Sequence, residues 1–557
     1  MTQFIFITLF ILIKNLYSWL IYSTWSETQQ LAVEISLKSF QNDMYIAVFI
    51  LLFSMIISKI SLKFLSIILW FITLLLAFYI YIDIQTLYIF NRKLIITDTL
   101  KFSNHGMESY FVIKYFLYGF SLFLISSSLT YIYTQIKTKF LDRVILLLLV
   151  VMMLIPMNIH YFKSEYLTKN FIQNNMHLTY STQYSDIEKL ENNFLNSFEI
   201  SKGRDLKANI IVIFAESWSA VDSHRTSGIN LNHLQTYDKL SHEGRVYKNL
   251  FSEASTTAQA CVSIFTGLPS LLYSSNTEAY TPFYIQDNLI KELNLNNYYT
   301  SFIRAHDLDF LGLKSFLEYL EFDEMVGRQE AFLEGEKYSM GGVSDDVLYS
   351  YIFKHMQTLK EPYFINITTL STHIPYSTPK GRGEKNAYTY SAEAFERFYE
   401  KLKKSGYLKD NYLLLFGDHR KMTPLNRGEY ERYKEEAYAR VVCTLWGRDV
   451  KPETIDENYY NLTDISNSIK WLISESVSLP HKYNNIFTGN VKRDFVIHDS
   501  FENRSEIKIF STEKNSSITI KVDGDKTAVV KGEKNRDALE YINNLRGHYQ
   551  SLSSESK

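Results

Sequence analysis

Cysteine is nearly absent from this chain: Cys261 and Cys443 are the two among 557 residues. That excludes a disulfide framework and a cysteine-built zinc cluster. One bridge or two free buried thiols remain, and two buried thiols is the expectation. An excess of charge is also lacking. Lys and Arg total 58 against 60 Asp and Glu, for a net charge of −2. No basic field points to nucleic acid, so none is expected as a partner. There is no glycine-rich phosphate loop, which argues against a nucleotide substrate, and no internal repeat or low-complexity run.

What is present is unevenly distributed. The first 160 residues or so are strongly apolar, and the remainder has the composition of a soluble protein. Five apolar stretches reach bilayer-spanning length: residues 4–22, 44–60, 64–82, 110–133 and 144–161. Lys14 interrupts the first, and no small-residue cleavage site follows it, so this segment reads as a span and not as a cleaved signal. Lys14 is expected to face the bundle interior or to snorkel. Lys59 and Lys63 fall in one short loop, and Lys137, Lys139 and Arg143 in another. These are the cytoplasmic candidates. With them inside, the N-terminus is inside and everything after Tyr161 is extracytoplasmic, in a multi-pass protein of the cell membrane. The domains expected are a five-helix transmembrane domain (1–161), a linker (162–204), an extracytoplasmic domain (205–480) and a C-terminal β-rich subdomain with a closing helix (481–557).

From about Lys207 short apolar strands alternate with amphipathic helices. Strands are expected at 209–214, 299–304, 363–369, 412–416 and 440–445. Helices are expected at 286–295, 346–359, 392–404 and 464–474. That alternation predicts an α/β domain with a mostly parallel sheet, in which ligands sit at the carboxyl ends of strands. The tail differs. Residues 506–511, 517–522 and 527–531 alternate like antiparallel strands around a hairpin at Asp523-Gly524, before a helix at about 536–546.

Three strand-end or helix-start clusters carry candidate chemistry. The strand beginning at Asn209 ends at Glu216-Ser217. The strand beginning at Tyr412 ends at Asp418-His419, and a carboxylate beside an imidazole suits zinc or manganese. Between them, Thr256-Thr257 precedes an apolar helix that closes at Thr266-Gly267. A threonine pair there is ordinarily an N-cap, but a threonine hydroxyl can also complete a metal site and be activated by it.

With these residues in view, the soluble half resembles the alkaline phosphatase–sulfatase superfamily, and within it the lipoteichoic acid synthase-like phosphoglycerol transferases. The resemblance covers about residues 209–447 and extends to the five-span anchor. Sulfatases place the nucleophile nine residues before a Thr-Gly, and here that position is Thr257, which the resemblance prefers over Thr256. It implies one divalent metal, manganese first with zinc or magnesium also suiting, held by Glu216, Thr257, Asp418 and His419. Gly341-Gly-Val-Ser-Asp345 looks like the family's structural helix start. His373, in Ser371-Thr-His-Ile-Pro, stands where the family contacts the substrate phosphate or leaving group. Arg304, His306 and Arg420 are candidate phosphate contacts. The family's aromatic-Asn-Arg motif is replaced nearby by Phe310-Leu-Gly312.

The implied reaction is transfer of a phospholipid headgroup, phosphoglycerol, through a phospho-threonine to a cell-envelope glycan or glycolipid. The alternatives are a phosphoethanolamine transferase acting on lipopolysaccharide or another surface glycan, and a sulfatase-like hydrolase. A sulfatase proper needs a Cys or Ser that threonine cannot replace.

Overall fold

The computed structural model describes residues 2–23, 32–60, 63–90, 121, 123–132, 135, 197–270, 288–328, 336–490, 493–499, 506–512, 516–523, 526–532 and 535–555. The chain divides into two compact units.

In the first unit, helices α1 (Thr2–Tyr22), α2 (Ala32–Ile60) and α3 (Lys63–Phe90) are long and apolar enough to cross a membrane by length and composition. They match the first three expected spans. The fourth expected span overlaps the described helix 123–132, and the fifth lies outside the described residues. Phe6, Phe10 and Ile11 of α1 pack against Met44 and Ala47 of α2 and against Ala77 and Ile80 of α3. Leu16, Phe49, Phe53, Phe64, Phe71 and Phe78 point outward and are exposed. A water-soluble helix bundle would carry polar side chains on that outer face; helices apolar all round suit a lipid surrounding. Lys14 lies inside, as expected, with Nζ 2.7 Å from Asp43 Oδ2. Asn15 donates to the same oxygen at 3.0 Å.

In the second unit, an eight-stranded sheet is built from β1 (Ile210–Ala215), β2 (Arg245–Tyr247), β3 (Tyr299–Arg304), β4 (Glu324–Val326), β5 (Tyr363–Thr368), β6 (Tyr412–Gly417), β7 (Cys443–Gly447) and β8 (Glu453–Ile455). The strand order is β8-β2-β7-β6-β1-β5-β3-β4. The sheet is mostly parallel; β7 alone runs against both its neighbours. Strands β1, β5 and β6 are buried at every position, which is why they read as unbroken apolar runs. The register aligns their ends. Ala215 pairs with Gly417, and Phe214 with both Phe416 and Thr368. The residues that follow, Glu216 and Asp418, therefore leave the sheet side by side.

One expected strand is two. Arg440–Val441 pairs with Leu250–Phe251 in a separate three-stranded sheet, and after Val442 the chain rejoins the main sheet as β7. Val441, Val442 and Cys443 run apolar across the division, so the sequence shows no break. The end of the expected linker is also structured, with Phe198–Lys202 pairing antiparallel to Ser476–Pro480.

Helices α4 (Thr257–Thr266), α5 (Asp345–His355), α6 (Glu384–Lys404) and α7 (Leu462–Ile473) accompany the sheet. α4 buries Ala260, Cys261, Ile264 and Phe265 in the main core beside Phe214, Ile465 and Ile469. The Phe214 ring lies between those of Phe265 and Phe416, at 5.9 and 5.0 Å. Both cysteines are free and buried.

The tail forms a four-stranded antiparallel sheet of β9 (Phe495–Asp499), β10 (Glu506–Ser511), β11 (Ser516–Asp523) and β12 (Lys526–Lys531), packed on α8 (Arg536–Glu555) through its own core. Three of these strands were expected and β9 was not. Asp523 pairs with Lys526 across the expected hairpin, whose residues 524–525 lie outside the described residues.

Candidate active site

The chain turns sharply at the end of β1. Ser217 adopts φ 59°, a left-handed conformation that non-glycine residues seldom take. That turn sends its backbone N–H to Asp418 Oδ1 at 2.9 Å, while its hydroxyl donates to Glu216 Oε1 at 2.8 Å. The backbone of Glu216 is held as well. Its N–H donates to Thr369 Oγ1 at 2.9 Å, and its carbonyl accepts from the Thr372 hydroxyl. At the end of β6, Gly417 is required by close approach, because a Cβ there would lie 2.1 Å from the Trp218 carbonyl oxygen. Asp418 Oδ1 also accepts from the His419 N–H at 2.9 Å.

Thr256 caps α4, and Thr257 is its first helical residue. The helix closes at Gly267, whose φ of 72° is the left-handed C-cap glycine favours. The Thr257 hydroxyl donates to Glu216 Oε2 at 3.1 Å and lies 3.5 Å from His419 Nε2. His419 Nε2 is itself 3.5 Å from Glu216 Oε1 and 3.5 Å from Asp418 Oδ2. The four residues thus converge from three elements. Glu216, Asp418 and His419 are buried, while Thr257 is half-buried and reachable.

Burial alone would raise the Glu216 carboxyl, but positive charge at His373 and His419 and hydrogen bonds from Ser217 and Thr257 hold it below its usual value. Burial pushes Asp418 up to about 6, with His419 opposing and Glu216 adding to the rise. Burial would lower the His419 imidazole, but the Asp418 and Glu216 carboxylates overcome it and raise it.

This arrangement fits a divalent cation. One ligand atom from each of Glu216, Asp418 and His419 lies within 4.8 Å of the others. Asp418 Oδ2 is buried with no hydrogen-bond partner. His419 Nδ1 faces the Arg420 carbonyl at 2.9 Å, which fixes the tautomer that leaves Nε2 as a ligand. Oxygen and imidazole donors suit manganese, zinc or magnesium alike.

The other sequence-derived candidates fall in two places. His373 follows β5 in a half-buried turn and donates from Nδ1 to the Ile374 carbonyl at 2.6 Å. That turn is pinned by Asp345, the first residue of α5, which accepts from the N–H groups of Leu370 and Ser371 at 2.9 and 3.0 Å. Arg304 ends β3. His306 is buried and bonds the Met340 carbonyl through Nε2 at 2.8 Å. Burial, with the Arg304 charge, takes its imidazole down to about 3, so it is neutral. Arg304 and His373 both act electrostatically on His306, and His373 acts on Glu216. Arg420 is different. Its guanidinium is gripped by Glu429 at 3.1 and 2.7 Å and by the Lys421 carbonyl at 2.7 Å.

A second buried cluster has no counterpart among the motifs visible in sequence. Asp222, His233 and Glu384 come together, with His233 Nδ1 2.7 Å from Asp222 Oδ1. Lys421 Nζ sits among them, 3.0 Å from Asp222 and 2.7 Å from Glu384. One ammonium group already ion-pairs with both carboxylates. No local pattern marks residues so far apart in sequence.

Residues 208–472 match the Sulfatase family model. A stretch of 136 residues is 23% identical to lipoteichoic acid synthase 1 of Bacillus subtilis (strain 168); it covers 22% of this chain and 21% of that protein's length. Among solved structures the chain is similar to a protein of the alkaline phosphatase superfamily from Vibrio parahaemolyticus, with a TM-score of 0.54 and 19% identity over 66% of this chain and 91% of that one. It is also similar to the lipoteichoic acid synthase LtaP from Listeria monocytogenes, with a TM-score of 0.50 and 17% identity over 65% of this chain and 97% of that one. At those identities the likeness is one of fold.

Proposed function

We propose, from the premise that residues 208–472 form a sulfatase-family domain with a lipoteichoic acid synthase-like fold, that the protein transfers a phospholipid headgroup, phosphoglycerol, to a cell-envelope glycan or glycolipid. The observation that carries this reading is the convergence of Thr257 on Glu216, Asp418 and His419, with the hydroxyl 3.1 Å from Glu216. The membrane-length helices add a reason for a lipid donor.

Glu216, Asp418, His419 and the Thr257 hydroxyl would hold one divalent cation, which supplies Lewis acidity when bound and lowers the pKa of the hydroxyl. Thr257 Oγ attacks phosphorus in the lipid phosphodiester. An Oγ–P bond forms, and the bond from phosphorus to the diacylglycerol oxygen breaks. The threonine proton leaves toward Glu216 Oε2, which already accepts it in a hydrogen bond. His373, with Nδ1 committed to the Ile374 carbonyl, presents Nε2 to protonate the departing alkoxide. Arg304 would donate its N–H groups to the phosphoryl oxygens, while His306, whose Nε2–H is held by the Met340 carbonyl, lines the same strand end. Arg420, engaged by Glu429, serves as a brace for the His419 loop. An acceptor hydroxyl then attacks the phospho-threonine and gives its proton to His373, the Oγ–P bond breaks, Thr257 recovers its proton from Glu216, and the headgroup passes on. The catalytic domain works on the extracytoplasmic face, where both lipid donor and surface glycan are found.

The test is to incubate the full-length protein with isotopically labelled phosphatidylglycerol and read the Thr257 peptide by mass spectrometry. A phosphoglycerol adduct is expected, and a phosphoethanolamine adduct with the matching lipid would reassign the headgroup. Full turnover in a Thr257→Ala variant would overturn the mechanism.

A further inference from the structure

The segment leading into the nucleophile, Ser252–Thr256, lies between β-structure and α4 and has no regular structure of its own. Where Thr257 stands therefore depends on what grips that segment. Its first half is held by the main domain, with the Ser252 hydroxyl on the Asp418 carbonyl at 2.6 Å and the Glu253 carboxylate on the Leu462 and Thr463 N–H groups, and its second half is held by the C-terminal sheet. Gln259, two residues into α4 beyond Thr257, uses both ends of its amide. Its Oε1 accepts from the Ser255 N–H at 2.9 Å, and the Thr256 hydroxyl lies 3.4 Å from it. Its Nε2 donates to Asp499 Oδ2 at 2.5 Å. Asp499 is the last residue of β9. Its carbonyl accepts from the Ser255 hydroxyl at 2.6 Å, and its N–H donates to the Glu253 carbonyl at 2.9 Å. One residue earlier, His498 Nδ1 meets the Ser252 carbonyl at 2.8 Å. Gln259 and Asp499 are both buried.

We propose that Asp499 is a positioning residue for Thr257: through the Gln259 amide it fixes the Ser255–Thr257 turn, which makes the C-terminal sheet a working part of the catalytic unit. This rests on Thr257 being the nucleophile. The geometry sets this strut apart from ordinary core packing. A two-ended amide connects one carboxyl to the backbone N–H two residues before the reacting oxygen, and the same carboxyl's residue grips that turn a second time through its main chain. Burial pushes the Asp499 carboxyl up to about 8, so near pH 7 it is held as the neutral acid, with Oδ1 buried and without a hydrogen-bond partner. Asparagine is then a close stand-in, because its Oδ1 accepts from Gln259 as Asp499 Oδ2 does. Misplacing a reacting group by about 1 Å costs about a hundredfold in rate, while lipid binding is left alone.

The experiment uses the full-length protein in detergent with phosphatidylglycerol micelles, in Asp499→Ala, Asp499→Asn, Gln259→Ala and the Ala–Ala double variant. Headgroup release gives kcat and KM, and amide hydrogen exchange is followed over residues 252–259. Expected in Asp499→Ala and Gln259→Ala is a kcat about a hundredfold lower at unchanged KM, with faster exchange at residues 255–259. The double variant should be no slower than either single one, and Asp499→Asn should restore both kcat and protection. Wild-type exchange in Asp499→Ala, a kcat within about twofold of wild type, or a folded Asp499→Asn that does not restore rate would each overturn the strut. Should Asp499→Ala not fold, Gln259→Ala and Asp499→Asn test the strut in its place, by the same rate and exchange criteria. Exchange needs no turnover. Full activity in Thr257→Ala would therefore sink the assignment of the nucleophile while the exchange result still judges the strut.

Discussion

Replacing Asp418 by asparagine should stabilise the metal-free protein and abolish its response to metal, two effects of opposite sign from one substitution. Asp418 Oδ1 accepts two backbone N–H bonds, from Ser217 and His419, both at 2.9 Å. An asparagine Oδ1 keeps both. What the substitution removes is the negative charge at Oδ2, which is buried and has no hydrogen-bond partner. Burial pushes this carboxyl from 3.8 up to about 6. At about 1.4 kcal/mol per pKa unit, holding it ionised above pH 7 costs the apo fold on the order of 3 kcal/mol. The sign follows from proton binding. Between about pH 4 and pH 6 the folded carboxyl keeps a proton that the unfolded chain has released, so apo stability falls as pH rises through that window and is flat above it. The variant lacks that fall. Metal acts the other way: at a hundred times its Kd a cation bound only by the folded state adds about 2.7 kcal/mol, and the variant forfeits a ligand. The assay is urea unfolding of wild type and Asp418→Asn at pH 7.5, in chelator and in manganese. A variant less stable than wild type in chelator, or one that keeps the full manganese response, would refute the reasoning.

Three further outcomes follow from buried groups. Lys421→Met leaves Asp222 and Glu384, both essentially inaccessible, without the ammonium that bridges them, and should cost roughly 3–5 kcal/mol in denaturant unfolding. Gly417→Ala places a Cβ 2.1 Å from the Trp218 carbonyl oxygen; it should destabilise by about 1–3 kcal/mol and lower metal content, measured by elemental analysis, because Asp418 is the next residue. Glu253 caps the start of α7 through the Leu462 and Thr463 N–H groups at 2.8 and 3.1 Å, yet burial pushes it up to about 7. The folded state therefore retains a proton the unfolded chain releases, stability declines as pH rises from about 4.5 to 7, and Glu253→Gln should flatten that slope in thermal scans.

The central strands and the residues at their ends were legible in sequence because β1, β5 and β6 are buried on both faces and their apolar runs stop where the chain leaves the core. Glu216 and Asp418-His419 could be marked as strand-end residues, and the flush register then brings them together. Thr257 was separable from Thr256 only by its spacing to Gly267, which corresponds physically to the ten residues of α4 between cap and C-cap. Strands β2, β4 and β8 were not legible, since three residues are too few to show a period. Nor was the division at Val442, since no polar residue marks it. Asp499, Gln259 and the Asp222–His233–Glu384–Lys421 group were invisible for a different reason. Each is an isolated polar residue whose role exists only once distant segments have met.

The distances along the chain between groups that meet at this site bear on its biogenesis. Thr257 and Glu216 are 41 residues apart, Thr257 and His419 162, and Gln259 and Asp499 240. Contacts at such separations form late, because loop closure must come first. A nascent chain that has emerged only as far as α4 holds a threonine and a glutamate but no cation site. That site is completed when β6 docks beside β1, and the Gln259–Asp499 contact beside the turn forms only after β9 arrives. Assembly of the cation site therefore waits for β6, and under the proposed mechanism a translation product that stops before β6 should be silent in headgroup transfer.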